Sequence, residues 1–259
     1  MRLKSLISIT NLSNILNNLN NIDAKNAKTI IKLLSIDVLK SLDNNKYQIL
    51  LNNKTLTAHS QKQLTEGERY FARFEENKNT QVVLSKLIKT PKLLKNITLL
   101  NDTKLVYEQK DLLKLLSSKE SVTNFKDNIL QEMLKTNHKE TFNTLTHLLF
   151  SLNQNVFTIP MFFYDYLGFL QIKKRYNKKT KKSYLNFYAV FANLGAVSGL
   201  ISASMEGIKI DINVAFEEVK DFLETQKDNI SYNINIRVLE DIAPLYDITP
   251  NNQILDIKT

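Results

Sequence analysis

Residues 195–214 read GAVSGLISASMEGIKIDINV, and this stretch decides the fold of the C-terminal part of the chain. Small and apolar residues run from Val197 to Met205, Gly207 interrupts them, and Ile208, Ile210, Ile212 and Val214 then recur at every second position. A two-residue period places those four side chains on one face of a strand, so the stretch predicts a hairpin turned at Gly207. Working backwards, Leu167–Tyr176 and Tyr184–Leu194 flank a lysine-rich turn and predict a longer hairpin. Working forwards, Ala215–Gln226 carries Phe216, Val219, Phe222 and Leu223 at helical spacing, and Ser231–Val238 alternates again. Hairpin, hairpin, helix, strand predicts an α+β domain over residues 156–259, with a helix lying across a mainly antiparallel sheet.

Before this block the period changes. Residues 103–153 carry apolar stripes at helical spacing: Val122, Phe125, Ile129, Leu130, Met133 and Leu134, then Phe142, Leu145, Leu148, Leu149 and Leu152. Ser117-Ser118-Lys119-Glu120 reads as a capping box before the first stripe, and Asn137 with Glu140 opens the second helix. Residues 91–155 are therefore read as a helical connector. Upstream, Ile36–Leu39, Tyr47–Leu51, Leu56–Ala58, Tyr70–Phe74 and Val82–Leu87 are short apolar runs. Asp43-Asn44-Asn45, Asn52-Asn53 and Glu66-Gly67-Glu68 separate them. Turn residues at that interval predict a small β-barrel over residues 35–90, ended by Pro91 and the Lys92–Lys95 stretch. Residues 1–34 are read as a leader in which Leu12, Ile15, Leu16, Leu19 and Ile22 form a short helix. Ser5 to Ile22 is also uncharged and Asn/Ser-rich, as exported leaders are.

Composition removes most chemistry. The 259 residues contain no cysteine, which excludes disulfides, thiolate nucleophiles and cysteine metal sites. Five glycines and three histidines leave no phosphate-cradling loop and no histidine pair at ligand spacing. His138 and His147 sit nine residues apart, on opposite faces of their helix. No apolar run reaches the roughly 18 residues needed to span a bilayer, and no signal peptide develops after Arg2 and Lys4. The chain is expected to be soluble. Asn and Lys each occur 30 times, a bias that an AT-rich genome explains as readily as function does.

Charge is unevenly placed. Residues 1–155 carry 23 bases and 14 acids, a net +9, whereas residues 156–259 carry 12 of each. Within that neutral half, Lys173, Lys174, Arg175, Lys178, Lys179, Lys181 and Lys182 cluster with no acid among them. A cationic hairpin end on an otherwise acidic domain is a handle for an acidic partner, or else a lysine-blunted, solvated tip.

Other candidates are weaker. Gly195-Ala196-Val197-Ser198-Gly199 has its serine one place late for a nucleophile elbow, and residues 156–259 hold no histidine. Glu217 and Glu218 project about 100° apart, poorly placed for acid–base work but well placed for a helix N-terminus. Arg69-Tyr70-Phe71-Ala72-Arg73-Phe74 interleaves bases with aromatics, as single-strand-binding barrels do. Its alternation equally makes Tyr70, Ala72 and Phe74 a core row. A basic nucleic-acid-binding protein using the N-terminal barrel is accordingly the alternative to a protein-interaction role.

The last block also carries a resemblance. Leu185-Asn186-Phe187-Tyr188-Ala189-Val190-Phe191 leads through Leu194-Gly195-Ala196-Val197 into a strand, and Gly207 turns into Ile208-Lys209-Ile210-Asp211-Ile212 before a helix. This resembles the C-terminal domain of the flagellar hook-length control (FliK-like) family. Tyr47-Gln48-Ile49-Leu50, Leu56-Thr57-Ala58-His59-Ser60 and Leu64-Thr65-Glu66-Gly67-Glu68 likewise look like the small β-domain near the N-terminus of short FliK-like proteins. The resemblance implies a non-enzymatic component of flagellar type III export that needs no cofactor. Its partner would be the cytoplasmic domain of the export-gate switch protein, its place the cytoplasm at the flagellar base, with export through that system. The matching positions are Leu194, Gly195, Val197 and Gly207, all scaffold-like, and the two glycines suit a bulge or turn with positive φ. Four prolines in all and a helical middle make it a compact form without the family's long Pro- and Gln-rich ruler.

Overall fold

The computed structural model describes residues 6–9, 33–51, 54–60, 62–76, 82–118, 120–163, 166–177, 182–191, 194–204, 207–227 and 232–248. The fold is α+β. The chain divides into two compact units, Met1–Thr90 with Ala192–Gly195, and Pro91–Phe191 with Ala196–Thr259.

The first unit holds β1 (Leu6–Ile9), β2 (Leu33–Ser41), β3 (Lys46–Leu51), β4 (Lys54–Ser60), β5 (Arg69–Glu76) and β6 (Val82–Lys89). They pair in the order β1-β4-β3-β2-β5-β6, and β1 also pairs with β6, which closes the ring. Alternation makes the core: Leu34, Ile36 and Val38 of β2 meet Tyr47, Ile49 and Leu51 of β3 and Tyr70 and Ala72 of β5. Asn44 and Asn45 both take positive φ (59° and 55°), the conformation a tight β2–β3 turn requires and Asn tolerates. Against β5, the step from Phe71 to Arg73 spans Ile88 to Ser85 on β6. That extra residue is a bulge, with Lys86 at φ 52°. The leader reading is corrected at its start. Leu6–Ile9 is a barrel strand, because the ladder from β4 to β6 leaves two edges that one short strand can satisfy. The helix expected over residues 11–22 lies outside the described residues.

The second unit starts with α1 (Lys92–Ile97), a 3-10 turn at Thr98–Leu100, α2 (Gln109–Ser117), α3 (Ser121–Lys135) and α4 (Lys139–Asn153). The strands β7 (Phe157–Phe163), β8 (Tyr166–Asn177), β9 (Lys182–Phe191), β10 (Gly195–Ser204) and β11 (Gly207–Val214) follow, then α5 (Glu217–Thr225) and β12 (Asn233–Val238). One sheet takes all six in the order β12-β11-β10-β9-β8-β7. The β7–β8, β8–β9 and β10–β11 pairs are antiparallel, and β12 runs parallel to β11 because α5 carries the chain back across the sheet.

Three expectations change here. The helices of residues 91–155 are no connector. Phe125 and Ile129 of α3 and Leu145 and Leu148 of α4 form one buried cluster with Phe157 and Ile159 of β7. The Phe125 and Phe157 rings meet nearly edge to face at 5.1 Å. Each such side chain contributes about 1.5–3 kcal/mol when buried, and β7 supplies part of that burial. Secondly, β7 has no counterpart in the sequence reading, since Pro160 in an apolar run argues against a strand. It is an edge strand, and the Pro160 carbonyl points outward to accept from the Tyr107 N–H at 3.0 Å, so its nitrogen also faces away from β8. Thirdly, Ser117 ends α2 instead of capping α3, and the Ser118 hydroxyl accepts from the Glu120 N–H at 3.3 Å. His138, not Asn137, sits at the N-cap of α4.

Candidate protein-interaction surface

The β8–β9 hairpin positions the basic cluster. Its ladder runs from Gly168 opposite Phe191 to Asn177 opposite Lys182, and burial falls along it. Gln171 and Tyr188 at the base are fully buried; Lys173 is half-buried, and Lys174, Arg175 and Lys182 are exposed. Alternation then separates the bases. Lys173, Arg175 and Lys182 share the face of Gln171, and Lys174 lies on the other. Lys178, Lys179 and Lys181 lie outside the described residues.

A buried polar clamp holds the base of this hairpin. The Gln171 amide donates to the Tyr246 carbonyl at 2.7 Å and to the Thr158 hydroxyl at 3.3 Å. Its carbonyl accepts from the N–H groups of Leu245 (2.9 Å) and Tyr246 (3.2 Å). The Tyr246 hydroxyl and His147 Nδ1 share a bond of 2.9 Å, and the Asp247 carboxylate accepts from the first N–H groups of α1, at Lys92 and Leu93. One C-terminal segment therefore ties β8, α4 and α1 together. Burial lowers the His147 pKa, partly offset by Asp247, and raises the Tyr246 phenol to about 12. The Tyr188 phenol is pushed up more strongly by burial, and its hydroxyl has no hydrogen-bond partner among the described residues.

The family-pattern residues sit in the strands beside the hairpin. Gly195 opens β10 with φ 69°, half-buried Leu194 precedes it, Val197 pairs with Val214, and Gly207 turns β10 into β11 with φ 122°. Gly199 has a different reason to be glycine: a Cβ there would strike the Asp211 carbonyl and the Phe187 ring. That contact puts Phe187 on the face of Gly199, Ile201 and Ile212. Asn186 of β9 and Ser198 and Ser202 of β10 therefore share the opposite face.

Sequence reasoning overlooked what joins them there. Lys209, Asp211 and Asn213 of β11 and Asn233, Asn235 and Arg237 of β12 stand on the polar face. Asn235 donates to Asp211 at 3.1 Å, Lys209 pairs with Asp211 at 3.3 Å, and Asn213 donates to Ser198 at 3.5 Å. The Asn235 hydrogen bond, helped by Lys209 and Arg237, holds the Asp211 carboxyl below its usual range. The period-two polar pattern of each strand was visible in the sequence, but the side-by-side placement needed the ladder.

The remaining candidates resolve locally. Arg69 makes a two-point ion pair with Asp37 (2.6 and 2.8 Å), while Tyr70, Phe71 and Ala72 are buried. Ser198 lies within β10, and Glu217 and Glu218 occupy the first turn of α5. Among the described residues no group of three His, Asp or Glu could hold a metal, and no helix is long and apolar enough to cross a membrane. Comparison of the chain with family models, with curated proteins and with solved structures found no match.

Proposed function

We propose that the chain is a non-enzymatic component of flagellar type III export, working in hook-length control or in the change of export specificity. In this reading it contacts the cytoplasmic domain of the export-gate switch protein, at the flagellar base in the cytoplasm, and is itself open to export. The observation that carries the reading is the run from Leu185 to Ile212, with Leu194, Gly195, Val197 and Gly207 at the positions of the FliK-like pattern. The positive φ of both Gly195 and Gly207 supports it, since that pattern asks for turns there. So does the cationic hairpin of Lys173, Lys174, Arg175 and Lys182, a feature suited to an acidic protein surface. Deletion of the gene followed by electron microscopy of the cell surface tests it. Polyhooks, or hooks without filaments, are expected; normal flagella with normal motility would overturn the reading.

The second reading, a basic nucleic-acid-binding protein using the N-terminal barrel, rests on the net +9 of residues 1–155. Arg69–Ala72 supports it poorly, because its first base is paired and its rings are buried. Its signature would be single-strand binding that collapses steeply with salt.

A further inference from the structure

The hairpin bases are one edge of a larger surface. On the face of Gln171, Lys173, Arg175 and Lys182 stand beside Asn186 and Tyr184. The Phe187–Gly199 contact marks the opposite face, so this one continues through β10–β12 by way of Ser198, Leu200, Ser202, Lys209, Asp211, Asn235 and Arg237. The opposite face holds Ile210, Ile212, Ile234 and Ile236, and Ile236 is buried. The α5 crossover, with Val219 and Phe216 buried, therefore covers the isoleucine side. The C-terminal segment covers the other side at Gln171 and Tyr188, and the other residues named on that side are half-buried or exposed. Lys209, Arg237, Arg175 and Lys182 are all exposed. Five bases face one acid, and that acid is already engaged by Lys209 and Asn235. Among the described residues, no carboxylate lies at ion-pair distance from Lys173, Arg175, Lys182 or Arg237.

We propose that the part of this face outside the Gln171 clamp, centred on Lys173, Arg175, Lys209 and Arg237, docks an extended acidic segment of a partner protein. The proposal deepens the interaction reading above and rests on it. Charge complementarity selects the occupant, because unneutralised bases on a desolvating surface need carboxylates. Five strands about 4.8 Å apart span roughly 19 Å, the reach of about six extended residues. Protein fits better than nucleic acid because the face offers bases no stacking platform: Tyr184 is half-buried, and Tyr188, which shares the face, is fully buried.

Anisotropy of a labelled ten-residue peptide alternating Glu and Ser, titrated with the full chain at low salt, tests the proposal. Combined Lys173→Gln, Arg175→Gln, Lys209→Gln and Arg237→Gln is expected to weaken binding at least about tenfold. Combined Lys54→Gln, Lys126→Gln, Lys139→Gln and Lys174→Gln removes the same charge from exposed positions off the face and is expected to stay within about twofold. Should the face variant fail to fold, Arg175→Glu alone, at an exposed position, is expected to weaken binding measurably. Equal losses in the two variants, or no binding by the wild type, would overturn the proposal. So would tighter binding of a ten-nucleotide thymidine strand than of the peptide. Pull-down with the switch protein's cytoplasmic domain separates the two readings. Peptide binding without that capture removes the flagellar partner and leaves the acidic-segment face standing.

Discussion

Gln171 shows what one buried amide can do. Its four hydrogen bonds satisfy a strand hydroxyl and three backbone groups of the C-terminal segment, in a site with no water-facing surface. Replacing it by leucine keeps the volume but strands those backbone groups. Gln171→Leu is expected to lower stability by about 2–4 kcal/mol in urea denaturation, where an exposed amide would cost little. His147 adds a pH term. Its folded pKa is depressed, so the unfolded chain binds the proton more readily, and stability falls as pH drops below the ordinary histidine value. Between about pH 7.5 and about pH 5 the wild type is expected to lose stability relative to His147→Gln. A parallel pH profile for the two proteins would show that burial of His147 does not matter.

Among the elements, α4 ends in a way the sequence hints at only weakly. Asn155 takes φ 57°, its N–H reaches the Leu152 carbonyl at 2.9 Å, and the Val156 N–H reaches the Ser151 carbonyl at 2.8 Å. This pair of bonds is a Schellman motif, and it delivers the chain into β7. Asn155→Gly is expected to raise the melting temperature slightly, and Asn155→Val to cost about 1–2 kcal/mol, because a β-branched side chain resists positive φ. The strands were the easiest elements to read. Ile208, Ile210, Ile212 and Val214 announce β11 by alternation alone. Pro160 hid β7, since a strand proline is tolerated only where its nitrogen needs no partner, and that depends on which strand lies at the edge.

For the whole molecule, charge and stability are governed by different residues. The cores are apolar in both units, and surface ion pairs such as Lys114–Asp111 and Lys110–Glu108 are solvent-exposed. Raising sodium chloride from about 50 mM to about 500 mM is therefore expected to shift the urea midpoint little while weakening acidic-peptide binding strongly. A midpoint that moved as steeply as the binding would mean that the cationic face is also a source of folding strain.

By itself the sequence determined the period of each segment, and through it the α+β class, the barrel strands, the β8–β9 and β10–β11 hairpins and the glycine turns. Periodicity is local, so a single chain segment reveals it. It also marked Lys173 to Lys182 as a cationic cluster. Only the tertiary structure decided that Leu6–Ile9 closes the barrel, that the middle helices share a core with β7, and that Gln171 holds the C-terminal segment. The same holds for the alignment of Lys209, Asp211, Asn235 and Arg237 with the hairpin bases. Each of these depends on strand order and register, which bring residues tens of positions apart into contact and which no local pattern encodes.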